Sequence, residues 1–207
     1  MSNFQSFSTD FQEIVTIYLS DSIFHAKWIN TLSYLENCGA RKIARSQHPK
    51  NVSRQMLKHA AEEFRHAFYL KQQITTKLNL FLPFYHLDMM WGGIDTLRYL
   101  DRLEMIVCRL LNASHAPQSA YFLITYAIEM RASEVYPLYQ NLLTQMGSSV
   151  SVRSILLEEK GHLEEMQEQI AHFGIEKSII SSLYQAEADL CQKWLRKLKQ
   201  NVLIINR

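Results

Sequence analysis

The sequence predicts an all-α protein, a four-helix bundle of two antiparallel hairpins joined by a long crossover, with additional helices. Three observations carry this. The 207 residues include only 4 prolines and 6 glycines. The stretches between them are rich in Leu, Ile, Met, Ala, Glu, Lys and Gln, which favour helix. Apolar residues recur there at helical spacing, and the breakers fall where two hairpin turns and one long connection would lie. With 47% apolar residues, the chain can bury one sizeable core, so residues 1–207 are read as a single domain.

Ser8, Thr9 and Asp10 are helix-capping types ahead of Phe11, Ile14, Val15 and Tyr18. The pattern continues through Ile23, Trp28, Ile29, Leu32 and Leu35 to about Ala44, with a break expected near Ser20 to Ser22. This places the first bundle helix at about 20–45. Gln47, His48, Pro49, Lys50 and Asn51 make a short loop, and the second bundle helix spans about 53–76. A loop that short makes the two helices antiparallel neighbours. The segment 78–115 is the crossover. It begins with Pro83 and a cluster of Phe81, Phe84, Tyr85, Met89, Met90 and Trp91, and continues as an extra helix over about 94–111. Linkers are rarely this apolar, so the segment is expected to be ordered. After a turn at Asn112 to Pro117, bundle helices are expected at about 118–146 and 151–173, broken by Gly147, Ser148 and Ser149. A C-terminal helix over about 176–200 follows Gly174. The extra and C-terminal helices are expected to pack outside the bundle.

The net charge of +2 gives no strong global field that would point to nucleic acid or membrane. No apolar run approaches the ~20 residues of a membrane span, and Met1 to Asp10 carry no apolar segment of a secretory signal. Cys38, Cys108 and Cys191 are odd in number and widely separated, so neither a zinc ribbon nor a rubredoxin-type iron site can be built. A cytoplasmic setting is expected.

The chemistry rests on a repeat. Glu62-Glu63-Phe64-Arg65-His66 recurs as Glu158-Glu159-Lys160-Gly161-His162, and each copy contains Glu-x-x-His. Residues three apart share a helix face, so a carboxylate and an imidazole can there bind one ion together. One copy sits in the second helix of each hairpin. A pair of metal ions needs a further carboxylate from each partner helix. Glu36 is the only acidic residue between Asp21 and Glu62, and Glu129 is isolated in a similarly apolar run. A lone glutamate on an apolar stripe is costly unless paired or bound to metal. From Glu36 to Glu63 is 27 residues, and from Glu129 to Glu159 is 30. The near-equal spacing puts both pairs at matching heights. The expected metal ligands are therefore Glu36, Glu63, His66, Glu129, Glu159 and His162. Glu36 and Glu129 are expected as terminal ligands, Glu63 and Glu159 as bridges, and each histidine as the cap of one ion. Four carboxylates with two imidazoles suit two iron ions, with manganese an option at one or both positions.

The pattern Glu36, Glu63-x-x-His66, Glu129, Glu159-x-x-His162 resembles that of the ferritin-like di-iron carboxylate superfamily over about residues 20–173. The resemblance implies a reduced centre that reacts with dioxygen or peroxide and draws on an external electron donor. Ile128-Glu129-Met130-Arg131-Ala132-Ser133-Glu134 and Ala61-Glu62-Glu63-Phe64-Arg65-His66 are also similar to stretches of the superfamily's tRNA hydroxylases. Basic residues Lys193, Arg196, Lys197, Lys199 and Arg207 go with that local similarity. The leading expectation is an oxidase or hydroxylase acting on a small apolar substrate. The alternatives are bacterioferritin-like ferroxidase or iron handling, tRNA hydroxylation, and a non-catalytic bundle stabilised by metal.

His59, Tyr126 and Glu134 are candidates to support the ligands, although core packing is the ordinary reading of His59, His25, Tyr126 and Tyr136, and Arg131 the ordinary partner of Glu134. Glu62 and Glu158 read as solvated residues or helix-surface ion-pair partners. The aromatic cluster of Leu78 to Trp91 reads as core, dimer surface or the wall of a substrate channel, and Val202 to Ile205 as a contact to a second subunit of a homodimer.

Overall fold

The computed structural model describes residues 4–47, 50–111 and 118–205, with side chains through residue 203. The described residues form seven α-helices and no strand: α1 Ser8–Leu19, α2 Ser22–Ser46, α3 Arg54–Leu78, α4 Gly93–Leu110, α5 Ser119–Gln145, α6 Arg153–His172 and α7 Lys177–Ile205. A single 3-10 turn, Leu87–Met89, lies in the crossover. The expected turn at Asn112 to Pro117 lies outside the described residues, as do His48 and Pro49 of the first loop.

Local chemistry sets the helix ends. The break near Ser20 is real because Asp21 leaves helical geometry and caps α2, accepting hydrogen bonds from the backbone of Ile23 (2.8 Å) and Phe24 (3.0 Å). The Ser53 hydroxyl caps α3 by accepting from Met56 N at 3.1 Å. Asn79 closes α3 in the left-handed region, at φ 55°, which asparagine tolerates better than most residues.

α2 packs along α3, and α5 along α6, as the two hairpins. α4 and α7 pack on each other as a flanking pair, with α4 also on α2 and α5 and α7 on α1 and α5. α7 runs to Ile205, five residues beyond the expected end. Val202 is buried and Leu203 exposed. Aromatic rings fill the junction of bundle and flank: Trp28 stacks on Trp194 at 6.2 Å and Tyr18 on Trp91 at 4.8 Å.

Buried polar groups of α2 hold the crossover in place. The Asn30 side-chain amide donates to the carbonyls of Phe84 (3.0 Å) and Met89 (2.9 Å). Thr31 Oγ1 accepts from Trp91 N at 2.8 Å, and Ser33 Oγ lies 2.9 Å from the Tyr85 hydroxyl. Residues 84–91 of the crossover are thus held against α2, as their composition suggests. The crossover's apolar cluster is divided, however: Met90 and Trp91 enter the core, whereas Phe81, Phe84 and Leu87 are exposed.

His25 ties α2 to α5, its Nε2 lying 2.6 Å from the Tyr139 hydroxyl in the core. Burial pushes its pKa down from 6.5 to about 4. The unfolded chain therefore binds a proton on His25 at higher pH than the folded one, so stability is present above about pH 6.5 and is lost as pH falls toward 4. His25→Gln is expected to remove up to about 3 kcal/mol of the acid dependence. Urea unfolding of both proteins at pH 7 and pH 4.5 checks this, and equal pH slopes would refute it.

Candidate metal centre

The inner stripe of α3 carries His59, Glu63, His66 and Leu70, and that of α6 carries Ile155, Glu159, His162 and Met166, all of them buried. These positions advance by 4, 3 and 4 residues, the spacing that keeps a helix face toward one neighbour. α2 adds Glu36 and α5 adds Glu129. The result is two overlapping groups whose ligand-type atoms lie within 4.8 Å of one another, namely His59, Glu63, Glu129 and His162, and Glu36, Glu63, His66 and Glu159. All six expected ligands are thus brought together, and His59 joins them.

Glu63 belongs to both groups. Its Oε1 lies 3.2 Å from His59 Nε2 and 3.3 Å from His162 Nδ1, and its Oε2 lies 3.8 Å from His66 Nδ1. Glu159 Oε1 sits 3.1 Å from His66 Nδ1 and 3.9 Å from His162 Nδ1. Glu36 Oε2 is 3.6 Å from His66 Nδ1, and Glu129 Oε1 is 3.3 Å from His59 Nε2.

The site is rich in buried polar atoms without a hydrogen-bond partner: Glu63 Oε1, Glu129 Oε2, Glu159 Oε1, His66 Nδ1 and His162 Nδ1. Such atoms normally cost free energy. Here they converge on two points, an arrangement that fits cations. The outer ring nitrogens are satisfied. His66 Nε2 meets Glu158 Oε2 at 2.9 Å and His162 Nε2 meets Glu62 Oε2 at 3.0 Å. Each imidazole of one helix is therefore steadied by the carboxylate that precedes the ligand on the other. A carboxylate behind a histidine fixes the tautomer that leaves the inner nitrogen free for metal. Glu62 and Glu158 are also ion-paired at the surface, with Lys58 at 3.6 Å and with Arg65. Their role at the site was not read from the sequence. The doubled Glu-Glu at the head of both motifs is the signal that could have revealed it.

His59 is oriented by the Tyr121 hydroxyl, 3.1 Å from its Nδ1, which turns Nε2 inward. Its ring lies 4.0 Å from that of His162. The Tyr136 hydroxyl donates to Glu36 Oε1, a contact hidden from one-dimensional spacing. Tyr126 and Glu134 lie elsewhere. Tyr126 meets the Tyr184 hydroxyl at 2.7 Å. Glu134 pairs with Arg131 and accepts from Phe7 N (2.7 Å) and the Ser8 hydroxyl (2.8 Å), fastening the N-terminal segment to α5. Arg131 also donates to the fully buried Glu187, at 2.6 Å. Cys38, Cys108 and Cys191 take no part in either group.

The electrostatics reflect crowding. Burial, and then the charge of Glu63, push Glu36 well above the usual carboxylate range; burial and the neighbouring Glu159 do the same to Glu129. Burial acts on Glu63 in the same sense, but the close imidazoles of His162, His59 and His66 outweigh it and push its carboxyl well below the usual range. Burial alone would lower His162, yet Glu63, Glu159 and Glu62 push it up to about 9. Four carboxylates match two divalent cations in charge, and with three imidazoles and no thiolate they form a donor set for hard or borderline ions.

Comparison with family models, with curated proteins and with solved structures finds no match for this chain.

Because Glu63 is shared, Glu63→Ala is expected to reduce bound metal from two equivalents per chain to at most one. Glu62→Gln and Glu158→Gln should keep the stoichiometry and weaken affinity by about 10- to 100-fold. Metal analysis after equilibrium dialysis checks both expectations, and unchanged stoichiometry in Glu63→Ala would refute the assignment.

Proposed function

We propose that the chain is a ferritin-like di-iron protein that uses dioxygen or peroxide to oxidise or hydroxylate an organic substrate. One observation favours this reading over iron handling. A cavity of about 530 Å³ meets the carboxylates Glu36, Glu63, Glu129 and Glu159 from one side. Its walls are mainly apolar, with Leu32, Leu35, Ile43, Leu100, Ile124 and Val135 among them. Such a volume is typical of small-molecule sites, whereas iron entering for storage needs a polar path.

Glu36, His66 and Glu159 would hold one ion, and Glu129, His59 and His162 the other, with Glu63 between them. A reduced iron pair bound there would supply electrons to dioxygen. The protein's own part is to orient and to exclude water. The apolar walls keep bulk water from the open side of the carboxylates. Tyr136 lines the cavity and bonds Glu36. Burial and then the charge of Glu36 raise its hydroxyl well above the ordinary tyrosine range, so it stays protonated and keeps donating to that carboxylate. The three histidines stand on the far side, none of them lining the cavity. A substrate would therefore approach across the carboxylates. α4 supplies part of the wall through Tyr99, Leu100, Glu104 and Cys108, while no residue of 78–91 does.

Anaerobic protein is expected to take up two ferrous ions per chain and, on exposure to oxygen, to change its near-ultraviolet absorbance once per pair. No oxygen-dependent change would sink the redox reading. Uptake of far more than two ions per chain by a large assembly would favour storage instead.

A further inference from the structure

The cavity opens at one end of the bundle, where α2 and α4 finish and α3 and α5 begin. Ser46, Gln47, Asn51, Cys108 and Gln118 line it there, together with Lys42 and Glu104. The chain around this rim has an unusual charge pattern. No acidic residue occurs in 37–61 or in 105–128. Lys42 lines the opening, and Arg41, Arg45 and Arg109 are exposed and adjoin the rim residues Lys42, Ser46 and Cys108 in sequence. Against these four cations stand two carboxylates, Asp101 and Glu104. They contact Lys42 at 2.7 and 2.5 Å, and Glu104 contacts Arg45 at 2.9 Å. Lys42 and Arg45 hold Glu104 below the ordinary carboxylate range despite its partial burial. The rim keeps a clear positive excess in a chain whose whole net charge is only +2.

A positive collar around an apolar hole selects an amphiphile. A low-dielectric cleft edged by one sign of charge concentrates ligands of the opposite sign. The same collar opposes entry of free metal cations by this route. Below the rim the wall offers few polar partners, and the Arg131 guanidinium that reaches it is already bound by Glu187 and Glu134. A charge carried to the bottom would be stranded beside four glutamates.

We infer that the cavity binds a small organic anion, with its carboxylate or phosphate held at the collar and an uncharged apolar tail pointing at the metal-ligand carboxylates. The inference rests on the reading of the cavity as a substrate site. At about 30 Å³ per water-sized group, the space takes a body of roughly 15 to 20 non-hydrogen atoms. A nucleic acid would also present anions to the collar, but the depth and apolarity of the cavity favour a ligand whose bulk is hydrocarbon.

Binding to metal-free protein tests this separately from the metal chemistry. Trp194 lines the cavity, so its fluorescence can report occupancy. Decanoate, decyl phosphate, decanol and decyltrimethylammonium share one tail. The two anions are expected to bind about five- to tenfold tighter than the alcohol, and the cation weakest. That preference should shrink in high salt. Arg45→Gln combined with Arg109→Gln should bring the anions close to the alcohol without changing binding of the alcohol itself. Ala132→Leu, which fills the wall, should weaken all four. Equal binding of anions and alcohol, or a preference that survives the double substitution, would overturn the inference. So would binding of a tRNA pool at the collar with no binding of the short anions. Uptake of two ferrous ions per chain when the same metal-free preparation is afterwards loaded anaerobically would show that the metal reading stands even if the anion selectivity fails.

Discussion

Four glutamates enclosed within a helical interior are the constraint from which the rest of the structure follows. Moving one carboxylate out of water costs several kcal/mol even after relaxation, and these four also repel one another. No packing of leucines offsets that. The protein reduces the cost with three imidazoles, which hold Glu63 ionised while Glu36 and Glu129 are driven toward the protonated form. That compromise still leaves five buried ligand atoms of the site without hydrogen bonds. Two divalent cations would neutralise all four carboxylates and occupy those atoms together. The long hairpins, the capped helix starts and the pinned crossover all serve to keep these groups from separating or hydrating.

The centre is built on a two-fold pattern and departs from it at one place. Glu62-Glu63-x-x-His66 and Glu158-Glu159-x-x-His162 exchange supporting carboxylates, so each helix steadies the other's imidazole. At the next inward position toward the N-terminus, however, α3 presents His59 and α6 presents Ile155. One group thereby gains a second nitrogen, and the other keeps more oxygen character. Nitrogen-rich surroundings favour later transition ions, and oxygen-rich ones favour harder ions. The two groups are chemically inequivalent even though their frame is nearly symmetric.

Much of this was legible in the residue order. Isolated Glu36 and Glu129 stand out because an unpaired carboxylate on an apolar stripe needs a reason, and the matched spacings align them with the two Glu-x-x-His copies. Helix content and hairpin order followed from composition and breakers. What stayed hidden were contacts between helices. Nothing in the sequence distance from Tyr136 to Glu36, or from His66 to Glu158, announces a hydrogen bond. His59 looked like an ordinary core histidine because its reach toward Glu129 depends on how α3 is rotated against α5. Glu134, five residues beyond Glu129, was drawn away by Arg131 and the N-terminal segment, and Glu187 gave no warning that it would be fully buried.

The cavity shows the same division between composition and geometry. The crossover's aromatic cluster, Leu78 to Trp91, was one candidate for a channel wall beside core and dimer surface. It is instead committed to α2 through Asn30, Thr31 and Ser33, and so cannot reach the carboxylates. The helix after it does that work: α4 packs on α2 and α5 as well as on α7, and Tyr99 and Leu100 share the cavity wall with Glu36 and Glu129. The acid-free run from 37 to 61 was equally plain in the sequence, yet a charge pattern acquires meaning only with a place. Folding brings Lys42, Ser46, Gln47 and Asn51 of that run beside Cys108 and Gln118 of a second acid-free run, 105–128, at the mouth of a large apolar space that touches the centre. Positive rim, hydrocarbon wall and anionic floor then form a sequence of environments that an amphiphilic anion can satisfy in one orientation only. That orientation would present the least reactive part of the molecule, its tail, to the place where oxidising power would be generated.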